Sequence, residues 1–508
     1  MATPSSRPST KLATLSPTLA RVRTSPEELV SHLERPLGRG HTPEHAFTGA
    51  AGGAACGDLI RLSVAIDSDN EDGLIEDAGF DASGCGAMLA AGSATVGLIR
   101  GAPLLLAARV GAREIAEELG GLSVSKLHAA ELAADALHRA LGGAARAGAA
   151  LAPRAGRTLI AMSGGVDSAI AALLISQSGA ETVGVTLELW SDPENDGELS
   201  CCSAQAVRGA RELAHGLGMA HLSIDLRAEF RAGVVEGWLA DHAAGLTPNP
   251  CVRCNGSVRL DAMLELATRL GSETLATGHY ARVVAGPAAP LLRTAADLAK
   301  DQSYVLSALA PESLARLRFP LGDMHKPEVR ELAERAGLAV AGKRDSQDLC
   351  FLAGTRHSAF LERHGGLGAR PGPIVDLEGT TLGEHAGAHS YTVGQRHGLG
   401  IAAPEPLYVL RTDVQSNTVT VGPRRELLAA ELSVREVTLH RDGSCVDGVR
   451  VRAHGRRFAC HLAGRENHVG SHRLLGVELD EPAERTAPGQ LACLYAGDLV
   501  VGYGTIAA

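Results

Sequence analysis

A short glycine-containing loop could bind phosphate groups. The sequence SGGVDS, at 163–168, follows a predicted buried strand at 158–162 and precedes a predicted helix at 169–178. Glycines at such a junction let successive backbone N–H groups converge on an anion at the start of the helix. The loop lacks the Lys-Ser/Thr pair of a Walker loop and the spacing of a dinucleotide-binding motif. We therefore expect it to bind a pyrophosphate group.

Three cysteines in two separated segments could share a sulfur site. Cys251 and Cys254 lie in TPNPCVRCN, which two prolines stiffen, and Cys350 lies in DSQDLCF. A cysteine attacks as its thiolate, and Arg253 and Arg344 are close enough in sequence to favour that form electrostatically. For the neighbouring pair CC at 201–202 we expect a structural role, because adjacent cysteines cannot easily bind one metal ion.

The elements around these residues predict an α/β fold. Strands at 158–162, 182–187 and 221–225 alternate with helices at 169–178 and 204–217, which is typical of a doubly wound parallel sheet. Short segments at 450–453, 474–479 and 491–495 are spaced like the antiparallel strands of a small barrel. Near the start, strands at 59–66 and 74–80 and an amphipathic helix at 126–141 predict a small α+β domain.

Length and composition limit the number of domains and the class of protein. A chain of 508 residues is too long for one core, and we divide it into a disordered tail (1–25), an α+β domain (26–141), a linker (142–157), a parallel-sheet domain (158–350), a central domain (351–429) and a β-barrel (430–508). No run of about 18 uncharged apolar residues predicts a membrane span. Ten unevenly spaced cysteines argue against a secreted disulfide scaffold, so we expect a cytoplasmic protein. The net charge of −10 favours nucleic-acid binding through only a few phosphate contacts.

The loop SGGVDS resembles that of the ATP pyrophosphatase (PP-loop) superfamily, whose members adenylate a substrate oxygen. Seven ordered motifs, SGGVDS, TPNPCVRCN, ATGHYAR, KDQSYVL, DSQDLCF, HSYTVGQRHGLGI and APGQ, extend the resemblance over 157–508 to the bacterial tRNA 2-thiouridylase (MnmA) family. The resemblance implies that ATP and Mg²⁺ are used to adenylate the C2 oxygen of a wobble uridine, and that a persulfide sulfur then displaces AMP. The implied partners are tRNAs that read Lys, Glu and Gln codons.

Residue roles follow from the resemblance. It implies that Cys254 is the nucleophile, that Cys350 carries the persulfide, and that the two form a disulfide after turnover. It implies ATP contacts at Ala161, Met162, Ser163, Gly164, Gly165, Val166, Asp167, Ser168, Leu187 and Gly278, with Asp167 a candidate Mg²⁺ ligand. It implies contacts with the target base at Asn249, Pro250 and Cys251, and other tRNA contacts at His279, Lys300, Asp301, Gln302, Arg452 and Gln490.

One departure leaves an alternative open. Many family members carry Asp where this chain has Cys251, and a third thiolate beside Cys254 and Cys350 could instead hold an iron–sulfur cluster. The third possibility is that Cys251 is simply a buried residue without a chemical role.

The front domain resembles the IscU/SufU iron–sulfur scaffold family through the motifs CGD, GCG and KLH. Ala129 stands where that family has its third cysteine, but Cys56, Asp58, Cys85 and His128 could bind Zn²⁺, which accepts S, N and O ligands. A domain without activity, retained for docking, is the alternative. On a flexible linker, the domain would tether a cysteine desulfurase or a sulfur relay protein and so raise its local concentration.

Two other functions compete with thiolation. Another adenylating enzyme would leave Cys254, Cys350 and the terminal barrel unexplained. A carrier of iron–sulfur clusters or sulfur would not need the phosphate loop.

Overall fold

The computed structural model of the chain describes residues 26–52, 57–192, 203–286, 288–343, 345, 349–464 and 467–507. Cys56, Cys201, Cys202, Arg344 and the predicted tail at 1–25 lie outside them. Four sheets follow one another along the described chain: an antiparallel sheet, a parallel sheet, a small mixed sheet and a barrel. Among the described residues, no helix is long and apolar enough to cross a membrane.

The N-terminal unit is an antiparallel sheet of order β1-β2-β3 with helices packed on it. The strands predicted at 59–66 and 74–80 are present. Its elements are α1 (Pro26–Glu34), β1 (Phe47–Gly52), β2 (Leu59–Ile66), β3 (Ile75–Ser83), α2 (Gly86–Ile99), α3 (Leu104–Ala107), α4 (Ala112–Glu118), a 3₁₀ turn (Val124–Lys126) and α5 (Leu127–Ala147).

The second unit has a five-stranded parallel sheet of order β10-β7-β4-β5-β6, which confirms the predicted α/β class. Buried strands of Val, Ile and Leu form its centre, as expected when both faces of a parallel sheet are covered. Its elements are β4 (Thr158–Ala161), α6 (Val166–Ser176), β5 (Thr182–Glu188), α7 (Ala204–Gly216), β6 (Ala220–Asp225), α8 (Arg227–Phe230), a π-helical turn (Arg231–Val235), α9 (Glu236–Ala243), α10 (Pro250–Arg253), a second π-helical segment (Cys254–Asp261), α11 (Ala262–Arg269), β7 (Thr274–Ala276), β8 (Arg282–Val284), β9 (Leu291–Arg293), α12 (Ser303–Leu306), α13 (Pro311–Arg316), β10 (Leu317–Arg318), α14 (Lys326–Arg335) and α15 (His357–Gly365).

Helix α5 joins the first two units. The helix predicted at 126–141 continues to Ala147, because the sequence after Leu141 is rich in alanine, so the first part of the segment expected as a linker is helical. The helix packs on β1 on one side and on β6, an edge strand, on the other. Glycines allow both approaches: a Cβ at Gly49 would lie 2.1 Å from Ala136 O, and one at Gly142 would lie 2.0 Å from Ser223 O.

The segment that follows α5 is also fixed in place by hydrogen bonds. The backbone N–H of Leu151 donates to Arg269 O at 2.7 Å, and that of Arg154 donates to Gly271 O at 3.0 Å. The guanidinium of Arg269 donates in return to Ala145 O and Ala149 O, both at 3.1 Å. The expectation of a flexible tether is therefore wrong, because this segment is fastened to the end of α11.

The last two units are built from antiparallel pairs. The central sheet has the order β12-β11-β14-β13, and the pairing of β15 with β20 closes six strands into the predicted barrel. Strand β9 pairs with β20, so a hairpin of the parallel-sheet unit extends the barrel sheet. The strands are β11 (Gly372–Val375), β12 (Thr381–His385), β13 (Leu407–Asp413), β14 (Thr418–Pro423), β15 (Leu428–Leu439), β16 (Gly448–Arg450), β17 (Phe458–Leu462), β18 (Gly470–Glu484), β19 (Leu491–Ala496) and β20 (Leu499–Ile506), with 3₁₀ turns at Ala388–Ser390, Arg424–Leu427 and Gly443–Cys445.

Candidate active site and a metal-ligand group

The phosphate loop lies between β4 and α6, as predicted. Gly164 has φ +68°, and a Cβ there would lie 2.9 Å from Ala206 O, so this position favours glycine on both counts. The Ser168 hydroxyl accepts from Ser163 N at 3.2 Å and donates to Gly165 O at 3.0 Å, which closes the loop around the first turn of the helix. The start of α6 therefore presents backbone N–H groups suited to an anion.

The other predicted ATP contacts surround this loop. Gly278 packs directly on it, since a Cβ there would lie 2.7 Å from Ser168 N. Ala161 and Met162 are buried where β4 ends, and Leu187 is buried near the end of β5, the neighbouring strand. Ligands of open α/β sheets bind outside these carboxyl ends.

Asp167 belongs to a network of charged side chains that the sequence analysis missed. Lys326 Nζ lies 2.7 Å and 2.8 Å from the two carboxylate oxygens of Asp167, and the Tyr280 hydroxyl donates to the same carboxylate at 2.8 Å. Burial and the Asp167 carboxylate raise the pKa of Tyr280, so its hydroxyl stays protonated as a donor. Lys326 is the first residue of KPEVR, at the start of α14. Its basic side chain is the only signal in the sequence that could have pointed to this role.

A second carboxylate, Asp345, connects the phosphate loop to the segment of Cys350. It accepts from Lys300 at 2.7 Å and Arg330 at 2.8 Å, and lies 2.9 Å from Lys326. Burial alone would raise the pKa of Asp345, but the hydrogen bonds from Lys300 and Lys326 outweigh it and lower the pKa to about 2. Asp345 therefore stays ionised over the whole physiological range.

The loop of the first two cysteines begins a helix. The Asn249 side chain caps α10 by accepting from Cys251 N at 3.1 Å, and Pro250 occupies the first turn, where a proline costs no hydrogen bond. Burial raises the pKa of the Cys251 thiol, while the charge of Arg259 opposes this. Cys254 is buried at the point where the chain enters the π-helical segment.

The barrel holds this loop from outside. Thr247 N donates to Pro488 O at 2.8 Å, and the Gln490 side chain donates to Thr247 O. Gln490, expected to contact tRNA, therefore positions the cysteine loop. Arg452 is exposed on the barrel, beside Gly394 of the central unit, as a contact with RNA requires.

Two of the expected tRNA contacts have structural roles in the fold. Asp301 is only 6% exposed and forms an ion pair with Arg450 of the barrel at 2.7 Å, and the side-chain oxygen of Gln302 accepts from Tyr280 N at 2.9 Å. Their contact with tRNA stays a prediction. Lys300 is half-buried and paired with Asp345.

The cation near the cysteine loop differs from the expected one. Arg253 forms an ion pair with Asp241 at 2.9 Å and is half-exposed, and Arg344 lies outside the described residues. Arg259 is the cation whose charge acts on both Cys251 and His279. Burial, followed by this charge, lowers the pKa of His279 to about 3, so the imidazole is neutral. Its Nδ1 atom shares a hydrogen bond with the Thr277 hydroxyl at 2.8 Å.

Cys350 lies next to a cluster of aromatic side chains. It is a half-buried free thiol, and its neighbour Phe351 packs against Trp238 at 5.2 Å and Trp190 at 6.4 Å between ring centroids. These are both of the tryptophans in the chain. A movement of the Cys350 segment would therefore change the intrinsic fluorescence.

In the N-terminal unit, three of the four predicted metal ligands converge. One ligand atom each from Asp58, Cys85 and His128 lies within 4.8 Å of the others. Asp58 accepts from His128 Nε2 at 2.9 Å, from Cys85 Sγ at 3.4 Å and from Cys85 N at 3.0 Å. The fourth, Cys56, lies outside the described residues. This is the single group of such side chains in the described part of the chain, and Cys251, Cys254 and Cys350 do not form one at that spacing.

Comparison with known proteins matches every unit. Family models described as NifU-like N terminal domain, tRNA methyl transferase HUP domain, tRNA methyl transferase PRC-barrel domain and Aminomethyltransferase beta-barrel domain match residues 25–145, 156–354, 358–423 and 425–506. The bifunctional protein NifU/MnmA of Rubrobacter xylanophilus is 43% identical over 94% of this chain and 98% of its own length. The tRNA-specific 2-thiouridylase of Thermobifida fusca is 45% identical over 69% of this chain and 95% of its own. The chain therefore belongs to the tRNA-specific 2-thiouridylase family, with a NifU-like domain at its N-terminus.

Proposed function

We propose that the chain is a cytoplasmic tRNA 2-thiouridylase that uses ATP to convert a wobble uridine into 2-thiouridine. The observation that carries the proposal is that Lys326 connects Asp167 of the phosphate loop to Asp345, which precedes Cys350 by five residues. Such a site can activate an oxygen as a phosphate ester and then replace it with sulfur. The relatives named 2-thiouridylase support the same reaction.

The reaction divides between the two parts of the site. At the phosphate loop, the C2 oxygen of uridine attacks the α-phosphorus of ATP, the bond to the bridging oxygen breaks, pyrophosphate leaves with the electron pair, and N3 loses its proton. The terminal sulfur of a Cys350 persulfide then attacks C2 and displaces AMP. Cys254 attacks the inner sulfur, which forms a Cys254–Cys350 disulfide and releases 2-thiouridine, protonated again at N3. A thiol reductant must restore the two cysteines.

Mg²⁺ fits the phosphate loop, because it prefers carboxylate and phosphate oxygens and Asp167 supplies a carboxylate there. It would reduce the negative charge of the triphosphate. Asp167 would bind it after exchanging its contact with Lys326.

For the sulfur site we propose the persulfide rather than the iron–sulfur cluster. Burial raises the pKa of Cys251, which favours its thiol over the thiolate that binds iron. Anaerobic addition of iron and sulfide should give no cluster absorbance that depends on Cys251. An absorbance lost in Cys251→Asp would establish the cluster instead.

The tRNA would lie along the exposed surface near Arg452, with Asn249, Pro250 and Cys251 next to the target base. We propose tRNAs that read Lys, Glu and Gln codons. Because few phosphate contacts are expected from an acidic protein, its affinity for tRNA should fall only modestly with salt.

The test is mass spectrometry of nucleosides from wobble-uridine tRNA incubated with the protein, ATP, Mg²⁺ and a sulfur donor. Wild type should form 2-thiouridine, and Cys254→Ser and Cys350→Ser should not, whereas Cys445→Ser, a half-buried cysteine of the barrel, should behave as wild type. Adenylated tRNA without thiolation in wild type would keep the ATP chemistry and overturn the sulfur chemistry.

We propose further that Asp58, Cys85 and His128 bind Zn²⁺ and that this unit receives sulfur from a cysteine desulfurase or a relay protein. The O, S and N donors, within 4.8 Å of one another, match the ligands that Zn²⁺ accepts. Metal analysis of the full chain should find zinc in wild type and in Cys445→Ser but not in His128→Ala. Equal zinc in all three would overturn the site.

Because α5 is packed into both units, the role of the N-terminal unit in sulfur transfer is tested better by Cys85→Ser than by deletion. Slower thiolation with a desulfurase, but not with inorganic polysulfide, which already carries sulfur at the oxidation level of a persulfide, would support the relay. An unchanged rate with the desulfurase would refute it.

A further inference from the structure

The side chain of Lys326 is a buried cation at the phosphate loop. It is only 7% exposed, and its ammonium lies between Asp167 and Asp345, 5.9 Å from the centroid of the Tyr280 ring. Removing a charge from water is costly unless partners compensate it. A lysine buried at this position therefore has a strong local electrostatic effect on the loop.

More cations surround the loop than its carboxylates need. Lys343 Nζ donates to Gly164 O, in the loop itself, at 3.0 Å. Lys300 and Arg330 both pair with Asp345, at 2.7 Å and 2.8 Å. Asp297 adds a third carboxylate, which accepts from Lys326 N at 3.0 Å. Among the described residues there are then, with Lys326, four cations against three carboxylates, so the network carries an excess of positive charge next to backbone N–H groups that suit an anion. A purely structural ion-pair network would not need this excess.

We propose that Lys326 is a phosphate-binding residue of this site, which donates to the β- and γ-phosphates of ATP and stabilises the pyrophosphate that leaves. This inference rests on the proposed adenylation. When the bond between the α-phosphorus and its bridging oxygen breaks, the electron pair remains on that oxygen, and the Lys326 ammonium offsets the new negative charge without transferring a proton. Asp345, held by Lys300 and Arg330, keeps the ammonium aimed at the loop.

The test is calorimetric binding of ATP, pyrophosphate and AMP, each with Mg²⁺, to the full chain. Lys326→Met should bind ATP and pyrophosphate about 10- to 100-fold more weakly, the factor expected for a hydrogen bond to a charged group, and AMP as wild type does. Lys326→Arg keeps the charge and should recover part of the affinity. The matched control is Arg335→Met, which removes an exposed cation from the other end of the same helix.

Loss of folding is excluded by a second variant. In Lys326→Gln the position keeps a polar side chain without the charge, and Asp345 keeps its pairs with Lys300 and Arg330, so the same selective loss of pyrophosphate is expected in a folded protein. Unchanged binding of pyrophosphate to both folded variants would overturn the proposal, as would an equal loss in Arg335→Met. Because binding is measured without tRNA, a wild type that binds pyrophosphate through Lys326 but forms no 2-thiouridine would refute the proposed function alone.

Discussion

The ion pairs of Asp135 should hold the N-terminal unit on the parallel-sheet unit. Asp135 lies on α5, and its carboxylate pairs with Arg208 at 2.7 Å and with Arg211 at 2.8 Å, both on α7. Arg211 is 3% exposed, and Asp135 8%. Replacing Asp135 by Ala leaves the guanidinium of Arg211 buried without its carboxylate.

The magnitude follows from burial. Breaking a buried ion pair by removing one partner costs about 3–5 kcal/mol, because the remaining charge is uncompensated. The exposed pair of Arg113 and Glu117, at 2.8 Å on α4, contributes little to stability because water screens it. Asp135→Ala should therefore destabilise the protein several times more than Glu117→Ala.

The assay is urea unfolding combined with hydrogen exchange of the α5 amides. Asp135→Ala should lower the urea midpoint and speed exchange along α5, Glu117→Ala should do neither measurably, and Asp135→Leu/Arg211→Leu should recover stability, since apolar residues replace the charges. If Asp135→Ala unfolded no more easily than Glu117→Ala, the buried pair would not be what holds the two units together.

Two further predictions concern the surroundings of the sulfur site. Burial lowers the pKa of His242 to about 4 from its ordinary 6.5, so below about pH 6.5 the unfolded chain takes up a proton that the folded chain does not. The free energy of unfolding should therefore fall as the pH is lowered from 6.5 towards 4, by roughly 1 kcal/mol at pH 5.5. Fluorescence of Trp238, 4.5 Å from His242 between ring centroids, follows this transition, and His242→Gln should flatten the dependence; an unchanged slope would refute it. Gln490→Ala loses the hydrogen bond to Thr247 O, worth about 1 kcal/mol, and should slow single-turnover thiolation about fivefold without changing ATP affinity. The exposed Gln415→Ala is its control, and an equal rate in both variants would contradict the positioning role.

Sequence patterns predicted much of the fold because they are local. The strands at 59–66 and 182–187 and the helix at 204–217 were expected within about one residue of their observed ends, since buried strands and amphipathic helices repeat along the chain with their own periods. The glycine loop between β4 and α6 was expected for the same reason. The helix expected to end at Leu141 continued to Ala147, because the alanines that follow Gly142 and Gly143 favour a helix and outweigh the two glycines.

By itself, the sequence determined which residue types are available for chemistry: the SGGVDS loop, the three cysteines of two motifs, and the ligands near Asp58. The tertiary structure alone decided their partners. Lys326 meets Asp167 across 159 residues, and Asp301 meets Arg450 across 149. A buried lysine and a solvated one have the same letter, and only packing sets which charge is removed from water and must find a partner. For the same reason, only the structure placed α5 as a shared core helix between two units rather than before a flexible tether.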